Sequence, residues 1–159
     1  MTLIKDNIVN GAIIGTAGMA VQSLYSCAIK ALGYPGLIYA DYGRVLLFAN
    51  LQPGATGYGL GLIAHWIWDI MIGVVFVYLI QGSSKHYRFA KGIIYSVAIW
   101  FIIQAGETLF RIPVIHEYYP GSEPYIFTGA LLFGLVLAYT FGLLQKSQES
   151  SFPRSDPPV

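Results

Sequence analysis

His65 and Asp69 stand four residues apart in one apolar stretch of this chain, and Glu107 and Arg111 four apart in another, with Gln104 three residues before Glu107. On a helix each such pair shares one face. Gln22 and Ser26 add neutral polar groups to the first apolar stretch. Ionisable side chains in a membrane-length segment are costly and mark a candidate functional site. Three roles are open to these groups. Glu107 could pair with Arg111 and Asp69 with His65, fixing which helix faces meet. Alternatively, His65, Asp69 and Glu107 could exchange protons or hold a cation, since histidine titrates near neutrality. The same three could also ligate a divalent metal, with His116 or Glu117 completing the set, although no fixed motif such as H-E-x-x-H is present.

Other chemistry lacks its residues. No nucleophile elbow and no phosphate-binding loop occurs. A bis-histidine haem needs two facing histidines within the spans, and only His65 lies in one. Cys27 is the single cysteine, which excludes a disulfide framework or thiolate cluster; it is expected as a small buried core residue. A net charge of +1 and the lack of a basic patch give no pull toward nucleic acid. The chain is therefore read as a non-enzyme without cofactor or metal.

The elements that must position the polar groups follow from hydropathy. Charged residues are 11% of the chain and hydrophobic ones 55%, against about 25% charged in a soluble domain. Residues 8–32, 59–81, 89–112 and 125–144 are each long and apolar enough to cross a bilayer. Their apolar runs are continuous rather than alternating, so they are helices and not barrel strands. Gly33-Tyr34-Pro35-Gly36, Pro53-Gly54, Gly82-Ser83-Ser84, Pro113 and Pro120-Gly121 punctuate them. The first run is too long for a signal peptide and reads as a retained anchor.

Lys85, Arg88 and Lys91 follow the second span. With four spans both termini share that side, adding Lys5, Lys146 and Arg154; only Lys30, Arg44 and Arg111 lie opposite. The positive-inside rule then puts both termini in the cytoplasm. Tyr34, Tyr39, Tyr58, Tyr118, Tyr119 and Tyr125 crowd the external side as interfacial anchors. In the first external loop, Leu37 to Ala49 is too short and charged to span. It suits a helix lying in the interface, with Asp41 and Arg44 on one face, or a cap folded onto the bundle. At ~1.5 Å per residue, Asp69 lies roughly 12–15 Å below the external interface and Glu107 roughly 8 Å. Three spans thus carry polar groups at overlapping depths, which turns them toward one another.

The two halves echo each other, a likeness open both to an ancient duplicated hairpin and to chance similarity among apolar helices. Gln22 precedes Tyr34-Pro35-Gly36 and Gln104 precedes Tyr119-Pro120-Gly121, while Gly73-Val74-Val75-Phe76-Val77-Tyr78 parallels Gly134-Leu135-Val136-Leu137-Ala138-Tyr139. Two spans per half would make this a parallel repeat about the membrane normal. Gly11 and Gly15 form a G-x-x-x-G, and Gly129, Gly134 and Gly142 punctuate the fourth span, allowing close approach within one chain or between two.

The opening Asp6-Asn7, the Ala31-Leu32-Gly33 turn, the second span from Gly61 to Gly73 and the third from Gly92 to Arg111 with Pro113 resemble small four-span membrane proteins of unknown function from spore-forming Firmicutes. The resemblance implies a bacterial cell membrane and carries over no catalytic residue. The expectation is an all-α polytopic protein: a four-helix transmembrane domain over residues 1–145, an interfacial helix in the first external loop and a disordered cytoplasmic tail over 146–159. It would act as a non-catalytic structural or interaction component, its partners being the bilayer and a membrane protein or second copy. The alternative is a small transporter or channel subunit with a proton or cation site at Asp69, Glu107 and His65. In a Cys27→Ser background, Glu117→Cys should react with a membrane-impermeant thiol reagent added to intact cells. Lys85→Cys should react only after permeabilisation, and the reverse pattern would invert the topology.

Overall fold

Asp6 starts the first helix: its carboxylate accepts from the Ile8 amide at 2.8 Å, an N-cap for α1 (Asn7–Ala31). The helix stops at Gly33, whose φ of 81° is open to glycine at little cost. The Tyr34 amide then donates to Ile29 and the Gly33 amide to Lys30, which closes a Schellman motif. In the computed structural model, which describes residues 6–34, 38–47, 54–83, 86–110, 121 and 123–151, the chain continues through α2 (Tyr39–Leu47), α3 (Ala55–Gln81), α4 (Arg88–Phe110) and α5 (Glu123–Ser151). The described residues are all helical apart from turns. The helices α1, α3, α4 and α5 are long and apolar enough to cross a membrane.

Three boundaries or placements differ from the expectations set by sequence. The second span begins at Ala55 rather than Gly59, because nothing between Gly54 and Gly59 stops a helix. The tail expected from Lys146 begins as helix: α5 runs on through Ser151, since Lys146, Gln148 and Glu149 are good helix formers and the next breaker is Pro153. Cys27 is exposed, not buried. Gln22 and Ser26 set the inward face of α1, and the residue after Ser26 is turned about 100° away from it.

The segment in the first long loop is helical, and it folds onto the bundle rather than floating on it. Asp41 accepts from the Ile38 amide at 3.1 Å and so caps α2. Arg44 Nε lies 4.0 Å from Asp41 Oδ1, both side chains being buried. A Cβ on Gly61 would collide with the Ala40 carbonyl, and one on Gly43 with the Gly61 carbonyl. The backbones of α2 and α3 therefore touch.

The same device joins the long helices. Gly73 of α3 seats against the backbone of Gly11 and Gly15 of α1. Gly134 of α5 seats against the Gly92 carbonyl and Ser96 hydroxyl of α4. In each hairpin a small-x-x-x-small pair on the first helix thus straddles one glycine on the second. Those two glycines head the matching hexapeptides of the sequence echo. Lipid tails are as apolar as leucine, so association rests on such close packing rather than on burial from water.

The halves meet unequally. α1 and α5 pack from Gly18 on Phe133, through Gln22 at Gly129, to Tyr34 against Tyr125. α3 and α4 meet only toward the end that carries Asn7 and Gln81. There the Tyr95 hydroxyl donates to Ile72 at 2.8 Å, its ring lies 5.4 Å from Phe76, and Lys91 reaches Ser83. Ile14, Phe76, Val77, Phe133 and Leu137 form the core beside them. Toward the opposite end α3 and α4 diverge.

Gly73→Leu should lower stability by about 1–3 kcal/mol, because side-chain bulk must push the α1 and α3 backbones apart. Gly59→Leu meets open space and should leave the apparent melting temperature in detergent unchanged or slightly higher. Equal melting temperatures for the two variants would count against this packing.

Candidate functional site: a polar-floored cleft between α3 and α4

His65 and Asp69 occupy one stripe of α3, with Asp69 next to the midpoint of the helix. Both are buried, at 7% and 3% exposure. Burial follows from three neighbours. A Cβ on Gly15 would strike the Asp69 carbonyl, so α1 covers that turn of α3 at backbone contact. The Tyr39 ring of α2 stacks on His65 at 5.0 Å and 14°. Gln22 of α1 donates through Nε2 to the Gly129 carbonyl of α5 at 3.2 Å, and the Tyr39 hydroxyl donates to Ile126 of α5 at 3.0 Å. Burial, with Asp69 acting in the same direction, pushes the Tyr39 phenol above its ordinary value, so it remains a protonated donor.

These groups floor a cleft of about 560 Å³, within the usual range of small-molecule sites. Its walls are the diverging parts of α3 and α4. Ile67, Trp68, Met71, Ile102 and Phe110 line it and are exposed, so the mouth opens on the apolar outer surface of the helices. From α4 come Trp100, Gln104 and Glu107. The Trp100 ring is held edge-on against Phe127 at 4.9 Å. Gly106 also lines the cleft and has no atom near the place of a Cβ.

The floor is polar and incompletely bonded. His65 Nε2 stands 3.1 Å from Asp69 Oδ2. Yet neither Asp69 Oδ2 nor His65 Nδ1 makes a hydrogen bond among the described residues. Gln22 Oε1, Glu107 Oε1 and Trp100 Nε1 are likewise buried without partners among the described residues. Burying a polar atom without a partner costs roughly 1–3 kcal/mol in proteins. Several such atoms bordering one cavity are what a site built to receive a polar group requires.

The structure thus places Gln22, His65, Asp69, Gln104 and Glu107 around one cavity. Arg111, the expected partner of Glu107, lies outside the described residues, as do His116 and Glu117. Among the described residues no three His, Cys, Asp or Glu side chains stand close enough to hold a metal ion. Tyr39 and Trp100 were not legible as site residues. Tyr39 is read from sequence as a surface anchor, whereas it bonds into the bundle; only its position just before the charged Asp41–Arg44 turn hints at a buried segment. Trp100 carries no signal beyond being a tryptophan within a span.

Gln22→Leu should cost about 0.6–2 kcal/mol, the usual worth of an interhelical polar bond in a membrane. Asp69→Asn and Glu107→Gln should leave thermal stability in detergent unchanged or raised, because neither Asp69 Oδ2 nor Glu107 Oε1 makes a bond to lose. A clear drop for both would make them packing residues. No protein-family model, curated protein or solved structure matches this chain.

Proposed function

We propose that this chain is a non-catalytic interaction component of a bacterial cell membrane, with both termini in the cytoplasm, and that it takes an amphiphilic molecule from the bilayer into the α3–α4 cleft. One observation carries the reading: unpartnered buried polar atoms line the floor of an apolar cavity whose mouth faces lipid. A purely structural bundle gains nothing from such a floor, since isolated buried polar groups destabilise it. An amphiphile supplies what is missing. Its apolar body satisfies the walls, and its head satisfies the floor without leaving the membrane.

A second reading, a proton or cation pathway, is supported by His65 and Asp69 at mid-span. It requires flux across proteoliposomes that disappears in Asp69→Asn with Glu107→Gln.

The cleft reading is tested by photolabelling in nanodiscs with a diazirine-bearing alkyl probe, mapped by mass spectrometry. Labelling should concentrate at Met71, Ile102 and Ile103 above the background at lipid-facing Leu24, Leu79 and Leu143. Gly106→Phe should fill the cleft and remove that excess without lowering the melting temperature. Uniform labelling over the lipid-facing surface would refute the cleft.

A further inference from the structure

We infer that the cleft selects a lipophilic cation: an ammonium or comparable positively charged head carried on an apolar body. The inference rests on the proposal that the cleft takes a molecule from the bilayer, and adds the sign of its head.

Charge is the first argument. The ionisable side chains of acidic or basic type lining the cleft are His65, Asp69 and Glu107, and no described lining residue is Lys or Arg. Arg44 of the adjacent α2 does not line the cleft and lies beside Asp41. In a low-dielectric cavity the sign of the lining dominates which guest is admitted.

The second argument is hydrogen-bonding capacity. Gln22 is 5% exposed, lines the cleft, and its Oε1 has no partner among the described residues. With Asp69 Oδ2 and Glu107 Oε1, the unpartnered set around the cleft holds three oxygens, which can only accept from a guest when the carboxyls are ionised, against one atom that can only donate, Trp100 Nε1, and one ring nitrogen, His65 Nδ1. An alkylammonium offers three donors and no acceptor. A carboxylate or phosphate head would face these acceptors with acceptors of its own.

Third, the walls suit a cation. Tyr39, Trp68 and Trp100 line the cavity, and aromatic faces attract desolvated cations, tryptophan most strongly. The carboxylates also stand at different depths. Glu107 is three residues from the end of α4, while Asp69 is near the middle of α3. A head entering at the divergent end passes the first before reaching the second.

Decylammonium, decanol and decanoate share one chain and differ in the head. Each is used to compete with the diazirine probe on the full-length protein in nanodiscs, at matched concentration in the membrane. Decylammonium should displace the cleft-specific label at about tenfold lower membrane concentration than decanol, with decanoate weakest. Ten-fold corresponds to about 1.4 kcal/mol. In Asp69→Asn with Glu107→Gln the preference for decylammonium should vanish while decanol still competes, which shows that the cleft survives. Equal competition by all three, or a preference for decanoate, overturns the inference and leaves the cleft as an amphiphile site. Absence of any cleft-specific label overturns both.

Discussion

Backbone contact at Gly15 and Gly73 is the constraint from which the other features descend. In a bilayer the helices cannot be driven together by removal of apolar surface from water, so they associate where their main chains can approach. α1 lies on α3 with Gly15 at the Asp69 carbonyl and Gly73 in the groove between Gly11 and Gly15. That contact sets the rotation of α3. Once it is set, the Asp69 and His65 stripe faces inward, Trp68 and Met71 face the divergent seam, and α1 presents Gln22 beside them.

The second hairpin repeats the device with Gly92, Ser96 and Gly134. A pseudo-two-fold that exchanges the hairpins would exchange the α1–α5 interface with the α3–α4 interface. The first is closed from Gly18 to Tyr34, the end that carries Tyr125; the second is closed at the opposite end. The difference coincides with α2, which has no counterpart among the described residues of the second half. It occupies a flank of α3 through Gly43 and Gly61 and places Tyr39 over His65. Tyr39, Tyr42 and Leu47 of α2 join α3 and α4 in lining the cavity. His65 and Asp69 of α3 and Gln104 and Glu107 of α4 border the same space.

The unpartnered buried atoms concentrate at the polar site. Gln22 has one end bonded to Gly129 and the other unpartnered among the described residues. Tyr39 is fixed to Ile126 and Tyr95 to Ile72. The unpartnered buried atoms of Gln22, His65, Asp69, Trp100 and Glu107 belong to cleft-lining residues, while Ser23 Oγ lies outside the lining, so local dissatisfaction is concentrated where a guest would supply the bonds.

By itself the sequence determined the four spans, because apolar length and helix-breaking residues act locally and the bilayer admits little but helices. It also determined which residues are anomalous there, since His65, Asp69 and Glu107 stand out in any apolar window. It left the faces of the helices open: α3 is apolar nearly all round, so periodicity carries no direction, and Cys27 was placed on the wrong side of α1 for the same reason. Only the tertiary structure decided that the loop helix packs on α3 with a buried Asp41–Arg44 turn, and that α3 and α4 part toward one end. Those outcomes depend on glycines meeting backbone across elements far apart in the chain, a contact to which no residue's own chemistry points.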